Sequence, residues 1–159
     1  MPLTDLLSFR TALYAAFARR QDALFELTDA VLAAGTVGSL PSLSLQAPHR
    51  RGGGSLYDAL AAGRLATEQV CRLVAAHPLT QLDPIYAVDL SVWARCDAET
   101  SPARGFYYHP SRHSAGQPLV AGWANQWVAQ LSFTRDSGTA PVEVERLVPG
   151  QDVNSLAAK

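Results

Sequence analysis

The chain has 159 residues, 48% of them hydrophobic and 17% charged, with a net charge of −1. That length fits one ordinary domain or two small ones, and the composition is globular rather than disordered. A near-zero charge excludes a global basic field for nucleic acid, leaving only local patches, and no apolar run approaches the ~18 residues that span a membrane.

Residues 3–34 have helical periodicity. Leu3, Leu6, Leu7, Leu13, Tyr14 and Phe17 form one apolar set, and Leu24, Leu27, Val31 and Leu32 a second. Thr4 is a candidate cap, Asp5 suits the first turn, and Gly35 a C-terminal stop. The polar ARRQD at 18–22 divides the segment into two helices or bends one. Residues 36–54, with Pro41, Pro48 and three consecutive glycines, are a breaker-rich linker whose LPSLSL portion alternates and is expected to lie extended. Ser55 with Asp58 makes a capping-box-like start; Gly63 breaks that helix, Thr67 caps the next and Pro78 ends it. Two short helices joined by a turn fit an ordinary helical hairpin or a helix-turn-helix.

From residue 84 the period becomes that of strands. In IYAVDLSVW (85–93) both faces are largely apolar, which predicts a central strand covered on each side. GFYYH (105–109) is a second short strand. QWVAQLSFT (126–134) sets Trp127, Ala129, Leu131 and Phe133 against Gln126, Val128, Gln130 and Ser132, the pattern of a half-buried antiparallel strand. VEVERLV (142–148) adds another, and Asp152 is a cap for a final helical segment. Cys71 and Cys96, with no C-x-x-C, read as buried thiols of a reducing compartment. MPLTDLLSFR carries an acid where a secretory leader carries positive charge, so a soluble, cytoplasmic protein is expected.

Three groups of residues suggest chemistry. Asp89 is a lone acid in an apolar strand, read either as a metal-binding carboxylate or as a solvent-facing Asp paired with an arginine such as Arg95. His109, Arg112, His113, Ser114 and Gln117 form a donor-rich segment suited to phosphate contacts. The four-residue spacing of His109 and His113 admits zinc, but Pro110 argues against the helix that such a site needs. Arg50 and Arg51, beside the glycines, are either DNA-backbone contacts or a solvated linker. No G-x-S-x-G, phosphate-binding glycine loop or G-x-G-x-x-G is present.

The ordered blocks SLYDALAAGRLATEQVCRLVAAHPL, YAVDLSVWARCDAETSP, YYHPSRHSAGQPLVAGWANQWVAQLSF and TAPVEVERLVPGQDVNSLAAK resemble the front of insertion-sequence transposases of the DDE type. The likeness spans nearly the whole chain and is strongest over 84–155. It implies an α+β chain: a helical N-terminal region, residues 1–80, for DNA binding or dimerisation, then, over 81–159, an incomplete ribonuclease-H-like (RNase H-like) sheet, mixed or antiparallel. It further implies that Asp89 is the first catalytic acid, mid-way along the central strand and holding Mg²⁺ or Mn²⁺, and that transposon-end DNA is the partner. The second Asp and the Glu of the family pattern find no convincing counterpart in Asp97, Glu99, Asp136, Glu143 or Glu145. The expectation is a truncated, catalytically incomplete transposase with an open sheet edge. A DNA-binding or dimerisation module that regulates full-length transposase is the alternative, and a small metal-dependent hydrolase around His109, His113 and Asp89 a third.

Overall fold

The computed structural model describes residues 2–79, 83–108, 118–133 and 138–151. The chain divides into two compact units, Met1–Leu73 and Val74–Lys159. Among the described residues no helix is long and apolar enough to cross a membrane.

The first unit is mostly helical. Helix α1 (Leu3–Ala16) starts behind Pro2, with Thr4 inside the helix instead of capping it. ARRQD does separate two helices, but through a short strand, β1 (Phe17–Arg19), and a left-handed Arg20 (φ 57°) that reverses the chain into α2 (Gln21–Ala34). Gly35, at φ 63°, supplies the predicted stop. The LPSLSL segment is not extended. It contains a four-residue helix, α3 (Leu40–Leu43), because Ser39 and Ser42 form a reciprocal capping box that satisfies the first turn. This turn drives Leu43 into a core with Leu27, Ala30 and Leu56.

Helix α4 (Gly54–Ala62) begins one residue before Ser55, whose hydroxyl caps nothing. It ends at Gly63, where a β-carbon would lie 2.2 Å from the Ala59 carbonyl and 2.8 Å from Leu24, so only glycine lets the chain turn there. Strand β2 (Arg64–Leu65) pairs antiparallel with β1, and helix α5 (Thr67–Ala75) follows. The link from α4 to α5 is thus a paired strand, not the tight turn of a helix-turn-helix, and α5 buries none of its residues. Leu3 and Leu7 are exposed, so the apolar stripe at the start of α1 is not core.

The second unit is an antiparallel sheet of β3 (Ile85–Ala94), β4 (Gly105–Tyr108), β5 (Leu119–Ser132) and β6 (Gly138–Arg146). With the helical first unit it makes the chain α+β. The long β5 is the middle of the sheet. It pairs with β3 along one edge, and with β4 and then β6 along the other. Gly122 is required at the β3 crossing, since a β-carbon there would sit 2.1 Å from the Trp93 carbonyl. Val142 is the extra residue of a bulge in β6, next to Pro141, which an outer strand tolerates because its missing N–H breaks no interior ladder.

This arrangement corrects one expectation and decides a point the alternation left open. Strand β3 is not central: among the described residues it pairs with β5 alone, and its other edge is open. Its two apolar faces mark little coverage, for Ile85, Tyr86, Val88 and Trp93 are all about half exposed or more. On β5 the buried side is the one carrying glutamines. Gln126, Gln130 and Ser132 are buried, whereas Phe133 is 74% exposed. That face is sealed because Leu147 returns over Ala124, with Leu90, Val92 and Tyr107 packed around them, and because the Leu79 N–H donates to Gln130 Oε1 at 3.0 Å. That bond satisfies the Gln130 acceptor, while Gln130 Nε2 and Gln126 Oε1 stay buried without a partner among the described residues. The cysteines are both free, but Cys96 is exposed rather than buried, because it lies in the loop just past the end of β3.

Candidate functional site

Asp89 sits mid-way along β3, directly across from Trp127 of β5. Its carboxylate is exposed, and Oδ1 accepts a hydrogen bond from the N–H of its own neighbour Leu90 at 2.8 Å. Among the described residues Asp89 forms no ion pair. The expected partner Arg95 instead places its guanidinium over Trp123, 5.7 Å from the ring centroid. Because Asp89 faces solvent, no counter-ion is needed to compensate burial, and the carboxylate is open to an approaching cation or substrate.

Side chains alternate across a sheet, so the register fixes which acids share a face with Asp89. Glu143 and Glu145 pair with Val128 and Gln126, which share their side of the sheet with Val88 and Leu90. They therefore point away from Asp89, with β5 between them. Asp97 and Glu99 lie in the loop after β3, in which Ala98 N–H donates to the Arg95 carbonyl. Asp136 lies outside the described residues. Among the described residues no three His, Cys, Asp or Glu side chains converge on a metal position. Asp89 offers one carboxylate; by themselves the described residues do not make a metal centre.

The other candidates are scattered. Arg51 bridges Asp22 and Glu26 at 3.4 and 3.3 Å, and the Arg50 N–H donates to the same Glu26. Arg51 lines a polar hollow of about 330 Å³ with Tyr14, Asp22, Ser55 and Asp58. The Tyr14 hydroxyl donates to Asp22 there, which raises its pKa above the ordinary value. His109, Arg112 and His113 lie outside the described residues, as does Asp152.

What sequence reasoning missed is the company that Asp89 keeps. Trp93 pairs with Trp123 and Asp89 with Trp127, so all three tryptophans of the chain lie on the Asp89 face. The Trp93 and Trp123 rings meet edge to face at 6.1 Å, and Trp127 Nε1 donates to Ser91 Oγ at 2.8 Å. Arg146 lies over Trp123 at 4.5 Å and donates to the Pro102 carbonyl. The odd numbering of Asp89, Trp93, Trp123 and Trp127 was the available signal, usable only once the strand pairing is known.

A family model described as DDE superfamily endonuclease matches residues 12–159. No curated protein and no solved structure matches the chain.

Proposed function

Since the chain belongs to the DDE superfamily endonucleases, we propose that it is the N-terminal part of an insertion-sequence transposase in which Asp89 is the first catalytic acid. The observation that carries this reading is the position of Asp89: mid-strand in the first strand of the sheet, solvent-open and free of any ion pair among the described residues. In that role the carboxylate supplies one oxygen ligand to Mg²⁺ or Mn²⁺. Such ions stabilise the attacking and leaving oxygens of phosphodiester displacement. The other acids would come from outside the described part of this sheet, since Glu143 and Glu145 occupy its opposite face. In this reading the remaining acids are not Glu143 or Glu145, and the 159-residue polypeptide alone is catalytically incomplete.

Residues 81–159 begin the RNase H-like catalytic domain in this reading. Residues 1–80 contact transposon-end DNA or a second transposase chain, with Arg50 and Arg51, and His109, Arg112 and His113 of the second region, as phosphate contacts. The place of action is the cytoplasm. A second reading, a regulatory module that pairs with full-length transposase, is favoured by one observation: among the described residues the ten-residue β3 presents an unpaired edge, which is a template for another strand.

The test has two parts. Incubation with supercoiled plasmid and Mg²⁺ or Mn²⁺ is expected to yield no nicked product; nicking that disappears in Asp89→Asn would refute the incompleteness. Addition of Mn²⁺ is expected to broaden the amide resonances of Asp89, Leu90 and Trp127 in the wild type and not in Asp89→Asn. Broadening centred elsewhere and indifferent to that substitution would remove Asp89 from the metal role.

A further inference from the structure

Among the described residues the Asp89 face of the sheet is rich in exposed aromatic rings. Phe106 and Tyr108 of β4 pair with Ala121 and Leu119, so they join Trp93, Trp123 and Trp127 on that same side. Five of the rings of this unit thus share one surface, and they are not sequestered: Trp93 is 63%, Phe106 78% and Tyr108 66% exposed. The other face holds the unit's small core around Ala124 and Leu147.

The cationic groups lie against this surface. The Arg95 and Arg146 guanidiniums lie over the Trp123 ring, at 5.7 and 4.5 Å from its centroid. The loop at 95–104 is fastened to it by Trp123 Nε1 donating to the Pro102 carbonyl at 3.2 Å, and is closed on itself by Arg104 donating to the Arg95 and Cys96 carbonyls. Among the described residues none of these three arginines forms an ion pair, although Asp97 and Glu99 lie in the same loop. Arg95 Nε is moreover buried without a hydrogen-bond partner. Among the described residues these positive charges are left unneutralised beside the exposed rings.

We propose that this face is a stacking platform for an unpaired DNA strand, with bases lying on Trp93 and Phe106 and phosphates meeting Arg146 and Arg95. Every base has a π-face and every nucleotide a negative charge, so exposed aromatic rings beside guanidiniums that lack an ion pair match a single strand in both respects. A duplex keeps its bases stacked internally and offers these rings nothing. The platform adjoins Asp89 through Trp127, its cross-strand neighbour, and Ser91, which holds the Trp127 indole. A strand lying on it would run past the carboxylate. The inference rests on DNA as the substrate of the family, not on Asp89 as a metal ligand.

Tryptophan emission of the 159-residue chain, titrated with a short oligothymidine, an abasic strand of equal length and charge, and a duplex of equal length, tests the platform. Oligothymidine is expected to quench emission and to bind about tenfold more tightly than the abasic strand or the duplex. Trp93→Ala and Phe106→Ala, both at exposed positions, are each expected to weaken oligothymidine binding about tenfold while the circular dichroism spectrum stays that of the wild type. Arg146→Gln is expected to lower the salt dependence by about one phosphate contact. Equal affinity for the three ligands, no binding of oligothymidine, or binding unaffected by both aromatic substitutions overturns the proposal. So does concentration-dependent self-association that Trp93→Ala abolishes, which would assign the face to a second copy of the chain. None of those results touches the Mn²⁺ broadening at Asp89, so the two readings fail separately.

Discussion

Replacing Asp89 with Asn separates an exposed edge carboxylate from a buried one. The substitution removes the charge but keeps the shape and keeps an oxygen to accept the Leu90 N–H, the one hydrogen bond at this carboxylate among the described residues. No ion pair is lost, since none is present at Asp89 among the described residues. The stability change is therefore expected to stay within about 0.5 kcal/mol, the range of surface substitutions. Were the carboxylate desolvated between covering layers, removing its charge would instead relieve at least ~2 kcal/mol. Urea unfolding followed by tryptophan emission measures the right unit, because Trp93, Trp123 and Trp127 all belong to the sheet. A midpoint rise equivalent to ~2 kcal/mol or more would refute the edge placement, and with it the solvent-open position on which the proposed role depends.

Two further outcomes follow from packing and charge. Gly122→Ala drives a methyl group to 2.1 Å from the Trp93 carbonyl, backbone against backbone, and is expected to cost about 3 kcal/mol in the same emission assay; a loss under ~1 kcal/mol would mean that the β3–β5 crossing is not as close as described. Arg10 donates two 2.8 Å hydrogen bonds to Asp29 and holds its carboxyl below the ordinary pKa, so this pair stabilises the helical unit above the unfolded carboxyl's value of about 3.9 and fades as pH falls through the lower folded value. With the Arg10 side chain 37% exposed, Asp29→Asn is expected to cost only about 1 kcal/mol near neutrality, by helix ellipticity during thermal melting, and the gap to wild type should close on acidification; a gap independent of pH would rule out the ion pair as its source.

What was legible in the sequence was local or serial. Gly35 and Gly63 end helices because the backbone requirement is met by the residue itself. The switch from a helical to a strand period near residue 84 reflects side-chain geometry alone, and the ordered blocks pointed to the DDE family that the match over 12–159 supports. Alternation in β5 was visible too, but not which side would be covered. That was decided by segments distant in the chain: Leu147 folding back onto Ala124 and the Leu79 N–H reaching Gln130 Oε1 from 51 residues away. The apolar residues of β3 likewise suggested a central strand, yet strand order is a property of partners, and only pairing along one side of β3 left Asp89 at an open edge. Period is written into each strand by its own pleat; the face that loses water and the neighbour that takes up an edge's hydrogen bonds depend on residues elsewhere, so tertiary structure alone assigned them.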